Sequence, residues 1–261
     1  MLIQVENKKY AQFLPLFQEH EHLRIVLKTI LKEKMGNLLV DDMENPKLGL
    51  LLYKVFAFIA GDPSHPYAKE VLKYLYENRM VLFPTKKWKI FAEKYLVLNP
   101  YPRTKYSSKN LSVEKMEKFL EIELPEDFTL EKIDLQTVYN FNPSLAPAFF
   151  PFFKNREDFI ERGLGYCVKH NKKVISAAAA SMPIYDDEFE IQVITENKKE
   201  YRQHGFATIA CAALIKESLE KGLEPHWDAD NEVSAKFALK LGFSNPEPYI
   251  AYLCVKNKLH G

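Results

Sequence analysis

The chain has 261 residues, of which 47% are hydrophobic and 13% aromatic, and its 36 Lys and Arg residues nearly balance its 35 Asp and Glu residues. This length and composition indicate a folded, soluble protein of one large or two ordinary domains, and they exclude a disordered or fibrous chain. The net charge of +1 gives no general attraction to nucleic acid or to anionic lipid.

The cysteines and the apolar segments further limit the classes of protein to which the chain can belong. Cys167, Cys211 and Cys254 stand far apart without a CxxC pair, so we expect buried thiols, no disulfide framework and no metal site. The N-terminus lacks the pattern of a signal peptide, and the longest apolar stretch is interrupted by Lys54 and is too short to span a bilayer. We therefore expect a cytoplasmic protein with no membrane or nucleic-acid partner.

The first half of the chain is predicted to be an α/β domain. Its predicted elements are an amphipathic helical region at 7–34, strands at 37–42 and 48–61 around an Asn-Pro turn, and helices at 66–80 and 88–96. Residues 86–109 mix basic and aromatic side chains, which is compatible with a nucleic-acid surface but is explained better by an ordinary solvated face. An acidic shift with a proline around 120–135 predicts a boundary between domains 1–125 and 126–261.

The second half reads as a mixed α/β layout in the order β-β-β-α-β-α-β. The predicted strands and helices are 165–170, 173–182, 188–195, a helix 205–221, 223–229, a helix 230–243, and 248–257. Four alanines at 177–180 favour a helix by propensity. We predict a strand instead, because Val174 and Ile175 lead into it and Pro183 cuts it off.

The stretch "YRQHGFAT" at 201–208 opens the long helix with a glycine and with basic residues, both of which disfavour a helix start. A strand, a loop and a helix N-terminus together form an anion site, and Gly205 would let a phosphate approach the backbone. Arg202 would add charge. Taken alone, the pattern is explained better by a tight loop with surface charges.

Two motifs together resemble the GCN5-related N-acetyltransferase (GNAT) superfamily over roughly residues 125–261. Residues 202–207 match its pyrophosphate loop, and "NEVSAKFALKLGF" at 231–243 matches its later motif, a helix that starts with Asn and ends at Gly-Phe. The tract "LEPHWDADNEVS" looks, more narrowly, like the branch that includes the zwittermicin A resistance acetyltransferase. The resemblance implies a mixed-sheet GNAT-like domain at 126–261, and the additional N-terminal domain at 1–125 is a candidate for shaping the acceptor cleft.

The resemblance also implies acetyl-CoA as the acyl donor and a set of residues that hold it. Backbone groups at the end of the 188–195 strand would pair with the pantetheine arm, and Asn231 would contact the donor near its thioester, act as a plain helix cap, or do both. The implied donor-binding residues are Val193, Ile194, Thr195, Arg202, Gln203, His204, Gly205, Phe206, Ala207, Thr208, Asn231 and Ser234.

Acetyl transfer to an amine also needs a group that accepts a proton from the substrate ammonium. The resemblance favours Glu190 for this role, with Glu188 next and Asp228 third. Strand alternation places Glu188, Glu190 and Gln192 on one face, although an ordinary solvated face has the same pattern. Where many members of the superfamily carry a tyrosine that protonates the leaving thiolate, this chain has Ala238.

Two histidines near these positions also invite functional interpretations. His204 is interpreted as an exposed loop residue, and His226 as a buried imidazole or part of the acceptor pocket.

The function expected from the sequence is N-acetyl transfer to the amine of a small molecule by direct attack, in a monomer or a homodimer. The alternative is a non-catalytic acyl-CoA sensor that signals through its N-terminal domain. Nucleic-acid binding through residues 86–109 is the third and least favoured hypothesis.

Overall fold

The computed structural model describes residues 1–141, 150, 152–201 and 204–260. The chain forms two compact units. The first unit contains Met1–Arg103 and the residues from Pro248 onward, and the second unit contains Thr104–Glu247. The last strand thus joins the N-terminal residues, which a division at residue 125 does not include. The roles assigned to 1–125 and 126–261 stay predictions.

The first unit is a mainly antiparallel sheet in the order β1-β2-β3-β4-β5-β12, in which β4 and β5 are parallel. Its strands are β1 (Ile3–Gln4), β2 (Asn37–Val40), β3 (Leu48–Tyr53), β4 (Phe56–Gly61), β5 (Met80–Leu82) and part of β12 (Ser244–Asn257). Its helices are a 3₁₀ helix (Asn7–Phe17), α1 (Arg24–Lys32), α2 (Ala68–Leu72) and α3 (Lys86–Glu93), and β6 (Leu96–Ser107) begins in this unit.

Several elements of the first unit differ from the sequence prediction. The single strand predicted at 48–61 is wrong, because the chain turns at Lys54 and Val55 to form the β3–β4 hairpin, with Lys54 at φ 48°. The helix predicted at 66–80 is shorter, at Ala68–Leu72, and Met80 begins β5. The helical region predicted at 7–34 is interrupted before α1 begins at Arg24.

The second unit has its own mixed sheet in the order β6-β11-β10-β9-β8-β7, in which β10 and β11 are parallel. Its further strands are β7 (Phe128–Lys132), β8 (Gly165–His170), β9 (Lys173–Ala180), β10 (Glu188–Thr195) and β11 (Glu224–Ala229). Its helices are α4 (Val113–Leu120), α5 (Leu135–Tyr139), α6 (Arg156–Arg162), α7 (Phe206–Glu220) and α8 (Glu232–Leu241).

The order β-β-β-α-β-α-β predicted for the second half is confirmed, and so is the strand over the four alanines. All four side chains are fully buried, two in the cluster that contains α7 and two in the cluster on the opposite side of β9. Small side chains on both faces let packed elements approach the strand closely, and this packing outweighs the helix propensity of alanine.

The structure confirms the expectation of buried thiols. The three cysteines are free and buried, and burial raises the pKa of the Cys167 thiol to about 12. Among the residues that the structure describes, no helix combines the length and apolar character that crossing a membrane requires.

Glu217 on α7 ties the helix to the edge of the sheet. Its carboxylate oxygens lie 2.5 Å from Lys132 Nζ, 2.6 Å from Lys221 Nζ and 2.6 Å from the Tyr166 hydroxyl. Burial raises the pKa of Glu217, but these three donors outweigh it and lower the pKa to about 2. The native state therefore favours the ionised carboxylate more strongly than the unfolded state does.

We predict that Glu217→Gln destabilises the protein near neutral pH and has little effect at about pH 2. The contribution of Glu217 is complete above the pKa of the unfolded state and is lost as the pH falls through the lower native pKa. Denaturant unfolding of both proteins between pH 7 and pH 2 measures the difference. A difference that stays constant over this range would contradict the assignment.

Candidate functional site

Strands β10 and β11 of the second unit run side by side and then separate. They pair in parallel at Glu188 with Glu224, at Phe189 with Pro225, and at Glu190 with His226. Beyond this point β10 continues along β9 to Thr195, while Trp227–Ala229 of β11 pair with β6. The parallel pair therefore opens at Glu190 and His226, and one edge of β10 is left beside the opening.

The backbone of β10 shows which residues face this opening. The Glu190 carbonyl accepts a hydrogen bond from Ser181 N, and Glu196 N donates to the Ile175 carbonyl, so even-numbered residues turn their backbone groups toward β9. Since the direction alternates along a strand, the odd-numbered residues 191, 193 and 195 turn theirs toward the opening.

The directions of the backbone groups differ among Val193, Ile194 and Thr195, the three strand residues that the sequence analysis assigned to the donor. Val193 and Thr195 present backbone groups to the opening. The Ile194 carbonyl instead accepts a hydrogen bond from Ser176 Oγ at 3.3 Å, and Ile194 pairs with Ala177 of β9. The alternation adds Ile191, which the sequence analysis missed because it depends on where the pairing with β11 ends.

Helix α7 follows β10 and begins directly after Gly205. Gly205 is the N-cap in the left-handed conformation, at φ 79°, and as a glycine it has no side chain with which to cap the helix. The glycine thus precedes the first turn, and its backbone conformation accounts for the choice of residue. The N–H groups of Phe206, Ala207 and Thr208 have no carbonyl partner inside the helix, so this end attracts anions.

A lysine that the sequence analysis missed stands at the same helix end. Lys240 Nζ donates a hydrogen bond to Thr208 Oγ1 at 3.0 Å, which places an ammonium group beside the first turn of α7. Phe206 is buried, and its ring stacks on Phe128 at 4.8 Å, whereas His204 is exposed and stacks on Phe206 at 5.4 Å. Arg202 and Gln203, which the sequence assigned to this loop, lie outside the described residues.

The polar face of the β10–β11 pair carries the candidate proton acceptors. Phe189 and Trp227 are buried on the opposite face, so Glu188, Glu190 and Gln192 share a face with Glu224, His226 and Asp228. The register places Glu190 beside His226, and Asp228 lies two residues further along β11, past the last pair.

His226 stands between two glutamates on this face. Its Nε2 lies 3.5 Å from Glu188 Oε1 and 3.9 Å from Glu224 Oε1, and Ser108 Oγ donates to Glu224 at 2.9 Å. The ligand atoms of the three side chains all lie within 4.8 Å of one another. These three side chains form one cluster, and Glu224 is a member that no sequence motif had indicated.

Helix α8 supplies the remaining candidate residues. Asn231 is its N-cap, because Asn231 Oδ1 accepts a hydrogen bond from Ser234 N at 2.9 Å, while its Nδ2 donates to Asp230. Ser234 Oγ accepts from Trp227 Nε1 at 3.1 Å and keeps its own hydroxyl proton to donate. Ala238 is completely buried in the core of the second unit, so no acidic group stands at the position expected for a tyrosine.

Comparisons with known proteins agree with this geometry. A sequence profile described as GNAT acetyltransferase matches residues 14–252. The uncharacterised N-acetyltransferase YdfB of Bacillus subtilis is 25% identical over 264 residues, which span 97% of this chain and 98% of YdfB.

Solved structures show the same fold along nearly the whole chain. A GCN5-related N-acetyltransferase-like protein from Streptococcus suis superposes with a TM-score of 0.74 at 26% identity, over 95% of this chain and 100% of that one. A GNAT-family acetyltransferase from Colwellia psychrerythraea has a TM-score of 0.59 at 11% identity over 98% of this chain and 100% of that chain, which shows the fold alone.

The backbone at Gly205 gives a prediction about stability. A Cβ at this position would have ample space, since its nearest neighbour is Ile122 Cδ1 at 3.9 Å, so the cost of a substitution comes from the positive φ. We predict that Gly205→Ala lowers the free energy of unfolding by about 1–2 kcal/mol, and that Gly205→Asn lowers it less because Asn tolerates this conformation better. Equal losses in denaturant unfolding would contradict this explanation.

Proposed function

The chain belongs to the GNAT acetyltransferase family, and we propose that it transfers the acetyl group of acetyl-CoA to the amine of a small molecule. Family membership supports acetyl transfer in general, whereas the donor contacts and the class of acceptor are the proposal. The observation that carries it is the opening between β10 and β11 next to the uncapped N-terminus of α7. An extended edge and an anion-binding helix end are the two features that a long thioester with a diphosphate requires.

The residues of the second unit fit acetyl-CoA at both features. The N–H groups of Phe206, Ala207 and Thr208, which have no carbonyl partner inside the helix, would bind the diphosphate, and the Lys240 ammonium would add charge beside them. Along the β10 edge, backbone groups of Val193 would pair with the amides of the pantetheine arm in the manner of an added strand. Arg202 and Gln203 complete this loop on the strength of the sequence motif.

The carboxylate of Glu190 is proposed as the proton acceptor. Acetyl-CoA, when bound, supplies an activated acetyl thioester that an amine attacks directly. An amine is protonated in water and must lose a proton to become a nucleophile, so a carboxylate at the opening serves this step. Glu190 is the last β10 residue that pairs with β11, and Glu188 and then Asp228, on the same face, are the next candidates.

The alanine at position 238 affects how the leaving thiolate is protonated. Its fully buried methyl group can neither donate a proton nor give way to a larger side chain without repacking. The proton for the departing thiolate therefore comes from solvent or from another side chain. Since general acid assistance contributes about 10²–10⁴-fold, the absence of one acid slows turnover without preventing it.

We predict that Glu190→Gln lowers kcat by about 10²–10⁴-fold and leaves the Kd for acetyl-CoA nearly unchanged. The amide keeps the shape of the side chain but cannot accept the proton. Steady-state assays of thiol release over a panel of small amines, with calorimetry for Kd, measure both quantities. Glu188→Gln is the matched variant, because Glu188 lies two residues before Glu190 on the same face of β10. We expect a smaller loss of kcat from Glu188→Gln than from Glu190→Gln.

Two outcomes of this experiment would count against the proposal. Equal activity of Glu190→Gln and the unchanged protein would remove Glu190 from the role of base. Tight binding of acetyl-CoA without transfer to any amine of the panel would favour a non-catalytic acyl-CoA sensor instead.

A further inference from the structure

The two units repeat one topology. Among the residues that the structure describes, each unit contains six strands, and the order β1-β2-β3-β4-β5-β12 corresponds strand by strand to β7-β8-β9-β10-β11-β6. The fourth and fifth strands are parallel in both units, and the other four pairs of neighbouring strands are antiparallel in both. A helix follows the fourth strand in both, α2 in the first unit and α7 in the second.

The correspondence extends to the residue register of the parallel strands. β4 and β5 pair at Phe56 with Met80, at Ala57 with Val81, and at Phe58 with Leu82. β10 and β11 also form three such pairs, and in both units the fourth strand then continues along the third strand, past the last of its pairs with the fifth. Phe58 thus corresponds to Glu190, and the first unit has an opening of its own after Phe58 and Leu82.

The opening in the first unit is filled by side chains of the same unit. His20, 5% exposed, donates a hydrogen bond from Nε2 to the Ile59 carbonyl at 2.7 Å, and Ile59 corresponds to Ile191 of β10. Burial lowers the pKa of His20 to about 4, so the ring is neutral at pH 7 and Nε2 carries the proton. Trp88 Nε1 donates to the Gly61 carbonyl at 2.5 Å. These contacts occupy the backbone edge that a thioester arm would need.

A cavity of 310 Å³ remains at the end of β5 beside this plugged opening. The residues that line it include Glu19, His20, Glu21, His22, Phe83 and Tyr249. This volume suits a single-ring ligand and is at the small end of the range for ligand pockets. Acetyl-CoA is far larger than this volume, so we expect a smaller molecule in this cavity.

The chemistry of the cavity walls favours a cation. Glu19 and Glu21, the two acidic residues of the lining, precede and follow the neutral, buried His20 in the sequence. His22 stacks flat on Tyr249, with ring centroids 4.0 Å apart and an angle of 3°, and the Tyr249 hydroxyl accepts a hydrogen bond from Arg103 Nε at 3.1 Å. Arg103 is therefore turned to the hydroxyl end of the ring. Carboxylates together with aromatic rings are the groups that bind organic ammonium ions.

We propose that the first unit is a second copy of the acyl-CoA-binding topology whose opening, closed to acyl-CoA by His20, now binds a small organic cation in the adjacent cavity. The cation is an amine of about one ring in size, held by Glu19 and Glu21 against the aromatic wall. This site is separate from the acceptor position on the β10–β11 face, and it does not depend on acetyl transfer.

Calorimetric titration of the full chain with phenethylamine, without acetyl-CoA, tests this site. The double variant Glu19→Gln with Glu21→Gln removes both charges at exposed positions and keeps the side-chain shapes, so folding is unaffected. We expect at least tenfold weaker binding to this variant, and at least tenfold weaker binding of the neutral 2-phenylethanol to the unchanged protein. Tyr249→Phe, which keeps the ring, retains most of the affinity.

The same titration with the double variant Glu190→Gln and Asp228→Asn separates this site from the proposed acceptor site. Binding that persists in this variant but fails in the Glu19 and Glu21 variant supports the cation site, whether or not the protein proves to be an active acetyltransferase. Undetectable binding of phenethylamine at millimolar concentration would overturn the proposal. Affinity that is unchanged by loss of the two glutamates would also overturn it.

Discussion

The separation of β10 from β11 is the constraint on which the rest of the second unit depends. Backbone N–H and C=O groups at the edge of a strand must find partners in protein, ligand or water. Here β9 holds one side of β10 and β6 draws β11 away, so residues 191, 193 and 195 keep their backbone groups directed into the opening. The proposed roles of the α7 N-terminus and of the Glu190 and His226 side chains depend on this opening.

The sequence predicted the second half of the chain well because its signals are local. Strands β8 and β10 have the predicted bounds, since alternating apolar residues between short polar turns specify both the element and its ends. The family motif at 231–243 predicts a helix that starts with Asn and ends at Gly-Phe, and the structure has its N-cap at Asn231 and its C-cap at Gly242. Alternation also placed Glu188 and Glu190 on one face, as the structure shows.

Features that depend on contacts between residues far apart in the sequence could not be predicted from the sequence. The β3–β4 hairpin turns at Lys54 and Val55 without a glycine, proline or asparagine to mark it, so it read as one long strand. Lys240 and Thr208 are hydrogen-bonded, although they are 32 residues apart in sequence and belong to different helices. The position at which β10 and β11 separate depends on which strands pair with each other. The periodicity of the sequence does not specify this pairing, so the role of Ile191 could not be predicted from it.

The most direct test of the central claim is calorimetric titration of the chain with acetyl-CoA, comparing Gly205→Asp with Gly205→Asn. The two substitutions have nearly the same shape and both tolerate a positive φ, so they differ mainly in the negative charge placed at the start of α7. The account predicts one molecule bound per chain, and binding at least tenfold weaker in the Asp variant than in the Asn variant. No binding by the unchanged protein, or equal affinity of the two variants, would contradict it.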